Sequence, residues 1–336
     1  MEKARMVQLV HSQKGRHIAL VKEPRLVLLR EIKSIYELAF LAIDQKIKVG
    51  EVIENHLSKD SLDYNSIYEG KGDWRLLPSF DHPDSPFGCM VSGTGLTHHN
   101  SALNRQTMHQ SSENKPTDSL QIYEWGIQGG SPVKGRIGVQ PEWFYKGNGS
   151  ILRAHGQSLE VPEYADDGGE EPEMAGIYII DRKGQPWRIG LSTGNEFSDH
   201  VMEKKNYLYL APSKLRNCAL GPELVLDADF SEYKGKASIQ RNGSSIWDSD
   251  IKTGEKHMSH NLANLEYHHF KYASHRIPLQ AHIHFFGADS FSFGNGLKLK
   301  HDDEMQVEWL GLGRALKNTL KLSDKEEEII LITPLG

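Results

Sequence analysis

The sequence predicts an α+β fold dominated by strands, in which rolled mixed β-sheets carry peripheral helices behind a small N-terminal module. Three observations predict it. Short apolar runs punctuated by glycine recur from about residue 175 onward, one amphipathic helical pattern interrupts them, and the first thirty residues alternate apolar runs with charge.

Residues 6–10, 17–21 and 25–29 read as a small antiparallel sheet. Ser34, followed three positions later by Glu37 and then by Leu38, Ala39, Leu41 and Ala42, forms a capping box, so a helix is expected to start there. From Tyr68 to Pro86 the composition turns to Gly, Asp, Pro and aromatics, an irregular crossover. The expected organisation is a strand and helix module over 1–86 and a larger domain over 87–336. Residues 104–130 are rich in Gln, Ser, Asn and His and have little periodicity before 120–125, which suggests a lid. Beyond them, 175–180, 187–191, 224–228, 282–286 and 305–309 read as strands. Residues 259–274 read as a helix, with Leu262, Leu265, His269 and Tyr272 on one face and Pro278 past its end.

Composition narrows the function. With 38% hydrophobic and 25% charged residues and a net charge of −6, the chain has an ordinary soluble balance, and its Lys and Arg residues are scattered. No basic stripe marks a nucleic-acid partner, so a small molecule is expected. Cys89 and Cys218 are too few for a disulfide framework and lack zinc spacing. No run approaches the ~20 apolar residues of a membrane span, and the N-terminus lacks a signal-peptide core. A cytoplasmic protein without a membrane partner is the expectation.

The chemistry concentrates in Asp166-Asp167-Gly168-Gly169-Glu170-Glu171-Pro172-Glu173, five acids in eight residues ahead of the apolar run 174–180. Alternate residues of an extended segment share a face, so Glu171 and Glu173 can point into one site while Glu170 faces away. Two such carboxylates repel, and a hard divalent cation (Mg²⁺ first, Mn²⁺ or Ca²⁺ otherwise) relieves the repulsion. A solvated acidic turn is the bland alternative. A second strand ends in acid at Asn195-Glu196, with Asp199 close by and Lys214 and Gly221-Pro222 downstream.

This order resembles the fumarylacetoacetate hydrolase superfamily, with a Glu-x-Glu entering a strand, a third acid after the next strand, a downstream Lys and then Gly-Pro. Pro141-Glu142-Trp143-Phe144-Tyr145-Lys146 is similar to the family's Pro-x-x-Phe-x-Lys. Gly93-Thr94-Gly95-Leu96-Thr97-His98-His99 stands where its catalytic domain begins, and 311–319 resembles its closing motif. The resemblance covers about residues 93–320. It implies metal ligands Glu171, Glu173 and Glu196, with Asp199 a rival for the third. It also implies catalytic roles for His99, Lys146 and Lys214, substrate contacts from Gly93, Arg105, His200, Asp289 and Ser290, an α-keto acid substrate, and a homodimer.

Two departures bear on the reaction. The third acid is Glu where relatives carry Asp, and the hydrolases' His followed three residues later by Glu is absent, since Ala102 follows His99 at that spacing. The Glu-Pro-Glu form and the polar run with Arg105 resemble the sugar-acid dehydratase branch. Dehydration of a 2-keto-3-deoxy sugar acid is therefore expected, with Lys214 or Lys146 taking the C3 proton and His99 or a metal-bound water protonating the leaving hydroxyl. Hydrolytic cleavage of a 2,4-diketo acid is one alternative, and a non-catalytic sugar-acid-binding paralogue is another. A zinc site at His268-His269 or His282-x-His284 is disfavoured. The first pair diverges around a helix, and the second lacks a third ligand at zinc spacing.

Overall fold

The computed structural model describes residues 3–109 and 117–336. As expected, strands dominate. They form a large sheet of twelve strands and a small sheet of five. Through the middle of the large sheet run, in spatial order, Arg5–His11, Cys218–Leu226, Pro186–Asn195, Pro172–Ile180, Ala281–Phe285, Cys89–Gly93 and, at the edge, Phe144–Asn148. Neighbours in this series are antiparallel except Ala281–Phe285 with Cys89–Gly93, which are parallel. The small sheet is ordered Ser244–Thr253, Tyr233–Arg241, Glu304–Trp309, Leu316–Leu322 and Leu159–Val161.

Every residue of Pro172–Ile180 and of Cys218–Leu226 is buried, which explains why 174–180 and 224–226 read as continuous apolar runs rather than alternating ones. One face of the large sheet packs Ile177, Leu220 and Ile283 against Leu38 and Val52 of the helices Ile35–Gln45 and Val49–His56. The other face packs Met174, Leu191 and Val225 against Ala237, Val307 and Trp309 of the small sheet.

The N-terminal strands form where expected, as Arg5–His11, Gly15–Lys22 and Arg25–Leu29. They do not make a separate sheet, because Arg5 pairs with Val225 and Met6 with Leu224, which continues the large sheet into them. Ser34 caps its helix, with its Oγ accepting from Glu37 N at 3.0 Å, while the Glu37 carboxylate accepts from Lys33 N at 2.7 Å rather than from Ser34 N. The later helix is shorter than its pattern. It runs Leu262–Phe270 from an Asn261 cap and gives way to a 3₁₀ turn at Ala273–His275.

The expected lid differs from the irregular segment its composition suggested. Helices span His99–His109 and Asp118–Gly129, and residues 110–116 of the expected lid lie outside the described residues. The first helix turns Ala102 and Arg105, three apart, toward the interior. A buried arginine breaks the apolar stripe that would have marked it. Among the described residues no helix is long and apolar enough to cross a membrane.

Candidate metal centre

The antiparallel pairing of Pro172–Ile180 with Pro186–Asn195 sets Pro172 opposite Asn195 and Glu173 opposite Gly194. The start of one strand thus meets the end of its neighbour, and Glu196 N donates to Glu171 O at 3.0 Å. Glu171, Glu173 and Glu196 are all buried and offer oxygens within 4.8 Å of one another, the one such group of acids or histidines among the described residues. Glu170 stays out of the cluster, as the alternation requires. Its carboxylate accepts from Ser292 N at 2.6 Å and Ser292 Oγ at 2.9 Å.

The three carboxylates are unequally compensated. Lys214 Nζ stands 2.7 and 2.9 Å from the two oxygens of Glu171, 2.7 Å from Glu196 Oε2 and 2.8 Å from Ser198 Oγ. Lys146 Nζ lies 2.6 Å from Glu196 Oε1 as an ion pair and donates to the carbonyls of Phe197 and Lys214 at 2.7 and 3.0 Å. Burial works against charge on Glu171, yet Lys214 and His200 hold its carboxyl well below the usual range. Glu173 has no cationic partner among the described residues and accepts only from Gly287 N, at 2.7 Å. Burial, then Glu196 and Glu171, push its carboxyl well above the usual range. Two ammonium groups and the His200 ring face Glu171 and Glu196, while Glu173, pushed toward its neutral form, has no cation beside it. A bound cation would restore its charge, and the all-oxygen donor set fits a hard divalent ion, which Glu171, Glu173 and Glu196 would hold.

Asp199 does not compete for the third position. Its Oδ1 accepts from Met202 N at 2.8 Å and caps the helix His200–Lys205, while Oδ2 accepts from Asp166 N at 2.9 Å and Arg216 Nη2 at 3.2 Å. His200 reaches Glu171 Oε1 from Nε2 at 3.1 Å, with its ring stacked between Phe291 and Phe293 at 4.8 and 5.1 Å.

The other anticipated residues are dispersed. Arg105 is buried, with Nη2 3.0 Å from Glu203 Oε1, while its Nη1 has no hydrogen-bond partner among the described residues. Gly93 is a packing glycine, since a Cβ there would come within 2.4 Å of the Phe144 ring, over which Lys214 Nζ sits at 4.8 Å. Exposed His99 faces Tyr123, ring centroids 5.8 Å apart. Asp289 accepts from Asn100 Nδ2 at 3.0 Å and Lys252 N at 3.1 Å, and Ser290 Oγ lies 3.4 Å from Ser249 Oγ. No hydrogen bond or ion pair among the described residues joins His99, Asp289 or Ser290 to the carboxylates.

Sequence reasoning missed Glu142. It is buried beside Arg105, its Oε1 accepts from Tyr207 OH at 2.8 Å, and its Oε2 has no hydrogen-bond partner among the described residues. Burial raises its carboxyl above the ordinary range and Arg105 opposes that. A Cβ on Gly95 would fall 1.8 Å from Glu142 Oε2, so the Gly93-Thr94-Gly95 turn admits two neighbours, Phe144 and Glu142. Glu142 lies inside the Pro141–Lys146 motif, and its acidic character there was the available signal. The histidines set aside as zinc ligands are indeed core groups: His269 Nε2 contacts His282 Nδ1 at 3.1 Å, and His284 bonds Ser92 and Thr94, each at 2.8 Å.

Comparison with solved structures places this geometry in context. A 2-keto-3-deoxyarabinonate dehydratase in a hexagonal crystal form matches with a TM-score of 0.70 and 18% identity, covering 96% of this chain and all of that one. The fold is that of the dehydratase. A second structure, of 2-keto-3-deoxy-D-arabinonate dehydratase complexed with magnesium and 2,5-dioxopentanoate, matches at 0.69 with the same identity and coverage. A 2-hydroxyhepta-2,4-diene-1,7-dioate isomerase from Mycobacterium marinum matches at 0.59 with 14% identity, covering 96% of this chain and all of its own. In sequence, a probable 2-keto-3-deoxyxylonate dehydratase of Haloferax volcanii is 31% identical over 121 residues. That stretch is 34% of this chain and 40% of the relative, so the match spans less than half the relative's length. No family model matches. A fold shared with 2-keto-3-deoxyarabinonate dehydratase thus extends over nearly the whole chain.

Proposed function

We propose that the protein is a divalent-metal-dependent hydro-lyase that dehydrates a 2-keto-3-deoxy sugar acid. The observation that carries this reading is the buried triad Glu171, Glu173 and Glu196, with Glu173 lacking a cation of its own. The two dehydratase likenesses, one to a structure holding magnesium, support it.

Glu171, Glu173 and Glu196 would hold a magnesium ion, which when bound would supply Lewis acidity toward the keto group and so acidify C3–H. Lys214, whose ammonium pKa Glu171 and Glu196 raise above the ordinary range against the effect of burial, stands between those carboxylates and would take the C3 proton were their charge shared with a cation. Lys146 is read as a positioning residue rather than a base, because it is ion-paired to Glu196 and anchored to two backbone carbonyls that a cation would not draw away. Arg105, with Nη1 unpartnered, binds the substrate carboxylate. Glu142, whose carboxyl burial raises against the pull of Arg105 and Tyr207, gives a proton to the leaving C4 hydroxyl in place of the exposed His99. The C3–H and C4–O bonds break, a C3=C4 double bond forms and water leaves; a proton then lost from C5 and regained at C3 gives the C4=C5 enol, which tautomerises to a keto aldehyde. Residues 1–86 serve as a supporting module, and Gly93, His200, Asp289 and Ser290 shape the walls and rim. A cytoplasmic setting accords with Cys89 and Cys218, both buried and unpaired.

A panel of 2-keto-3-deoxy and 2,4-diketo acids, assayed with Mg²⁺, Mn²⁺ or a chelator, tests the reading. Keto aldehyde formed from the deoxy acids and abolished by chelation supports it. Pyruvate released from diketo acids without such dehydration contradicts it.

A further inference from the structure

The dipeptide Glu170-Glu171 faces two ways, and only its second carboxylate belongs to the metal centre. Glu171 is bonded by Lys214 Nζ and, at 3.1 Å from Oε1, by His200 Nε2. Lys214 handles a proton in the proposed reaction, so the steady partner of Glu171 is His200. An imidazole that bonds through one nitrogen is commonly oriented by a hydrogen bond at the other. His200 Nδ1 is buried and has no such partner among the described residues. The ring is held by aromatic contacts instead, with Phe291 tilted from it by 4° and Phe293 by 28°. Ser292 stands between those phenylalanines in the chain, and Glu170 grips it twice, at 2.6 Å from the backbone N and 2.9 Å from Oγ. A Cβ on Gly169 would fall 2.6 Å from His200 Nδ1, so the chain entering Glu170 runs along the edge of the same ring.

We propose that Glu170 is a positioning residue for Glu171, an inference that rests on reading Glu171 as a metal ligand. By fixing Ser292, Glu170 holds the rings of Phe291 and Phe293 against His200, and His200 in turn holds Glu171 Oε1 in the orientation the cation needs. Each link is a direct hydrogen bond or ring contact, and the path leaves and re-enters the chain at neighbouring residues. Burial of the Glu170 carboxylate is costly, and both of its oxygens accept from Ser292, the residue that sets the two rings. Glutamine in its place keeps the grip, since the amide oxygen accepts from Ser292 N and the amide N–H donates to Ser292 Oγ. Alanine releases it.

Mn²⁺ titration calorimetry on the full chain, with circular dichroism as the check on folding, tests the path. Glu170→Ala is expected to weaken Mn²⁺ binding about tenfold. Glu170→Gln is expected to stay within about twofold of the wild type. Ser292→Ala, a milder change that keeps the backbone donor, is expected to weaken binding about threefold. In a His200→Phe background, which keeps an aromatic ring beside the phenylalanines, Glu170→Ala is expected to change the affinity by less than about twofold, because the link it acts through is gone. Wild-type affinity in a folded Glu170→Ala or in Ser292→Ala overturns the positioning role alone. So does a loss that Glu170→Gln shares, or one that persists in full beside His200→Phe. A wild type that binds no Mn²⁺ overturns the reading of the triad, and the positioning role with it.

Discussion

Lys146 Nζ lies 2.6 Å from Glu196 Oε1 with both side chains fully buried, and its other donors go to the carbonyls of Phe197 and Lys214. This arrangement makes Lys146 a brace. Lys146→Met leaves a buried carboxylate with one fewer partner, so the expected loss of stability is about 3–5 kcal/mol. Urea unfolding measures it. The Lys146→Met/Glu196→Gln double variant should lose less than the sum of the two single losses, because both remove the same contact.

The third-ligand question is decided by contrasting two acids. Glu196→Gln should weaken cation binding at least tenfold with the fold intact. Asp199→Asn should leave cation affinity within about twofold while lowering stability by about 1–2 kcal/mol, through a weakened helix cap and the lost Arg216 pair. Titration calorimetry with Mn²⁺ alongside urea unfolding separates the effects.

Gly95 exists for the sake of Glu142. A methyl group at this position meets Glu142 Oε2 at 1.8 Å and must push the carboxylate aside. Gly95→Ala is therefore expected to lower kcat about 100-fold, as a 1 Å displacement of a reacting group does. Steady-state kinetics should show that drop with Mn²⁺ affinity unchanged, and Glu142→Gln should show the same pattern.

Acid stability follows from the buried histidines. Burial and the neighbouring imidazoles lower His282 and His284 to about 3 each. Their folded values lie below the unfolded value of about 6.5, so as pH falls the unfolded chain takes up protons first. Stability is complete above about pH 6.5 and declines progressively toward about pH 3, by about 1.4 kcal/mol per pH unit for each group. Urea midpoints measured between about pH 7 and pH 5 should fall accordingly. His284→Asn should make that decline shallower by about one group's share.

The parts of this architecture that are local in sequence are legible there. Glu171 and Glu173 follow from strand alternation, the Ser34 cap from its box, and the core strands from their apolar runs. What stayed hidden depends on contacts between distant residues. The pairing of Arg5 with Val225 merges the N-terminal strands into the main sheet, and no local pattern encodes it. Arg105 masks the inner face of the helix His99–His109, because a charged residue in a buried stripe erases the period. Glu142 acquires its character only where Gly95, Arg105 and Tyr207 converge on it. His200 is tied to Glu171 by two phenylalanines about ninety residues away in sequence.

The central claim, that Glu171, Glu173 and Glu196 hold one divalent cation, is tested most directly by Mn²⁺ electron paramagnetic resonance on chelator-stripped protein. The account predicts one tight site per chain, displaced by Mg²⁺, weakened at least tenfold in Glu173→Gln and retained in Asp199→Asn. No saturable site in the wild type, or undiminished affinity in Glu173→Gln, would contradict it.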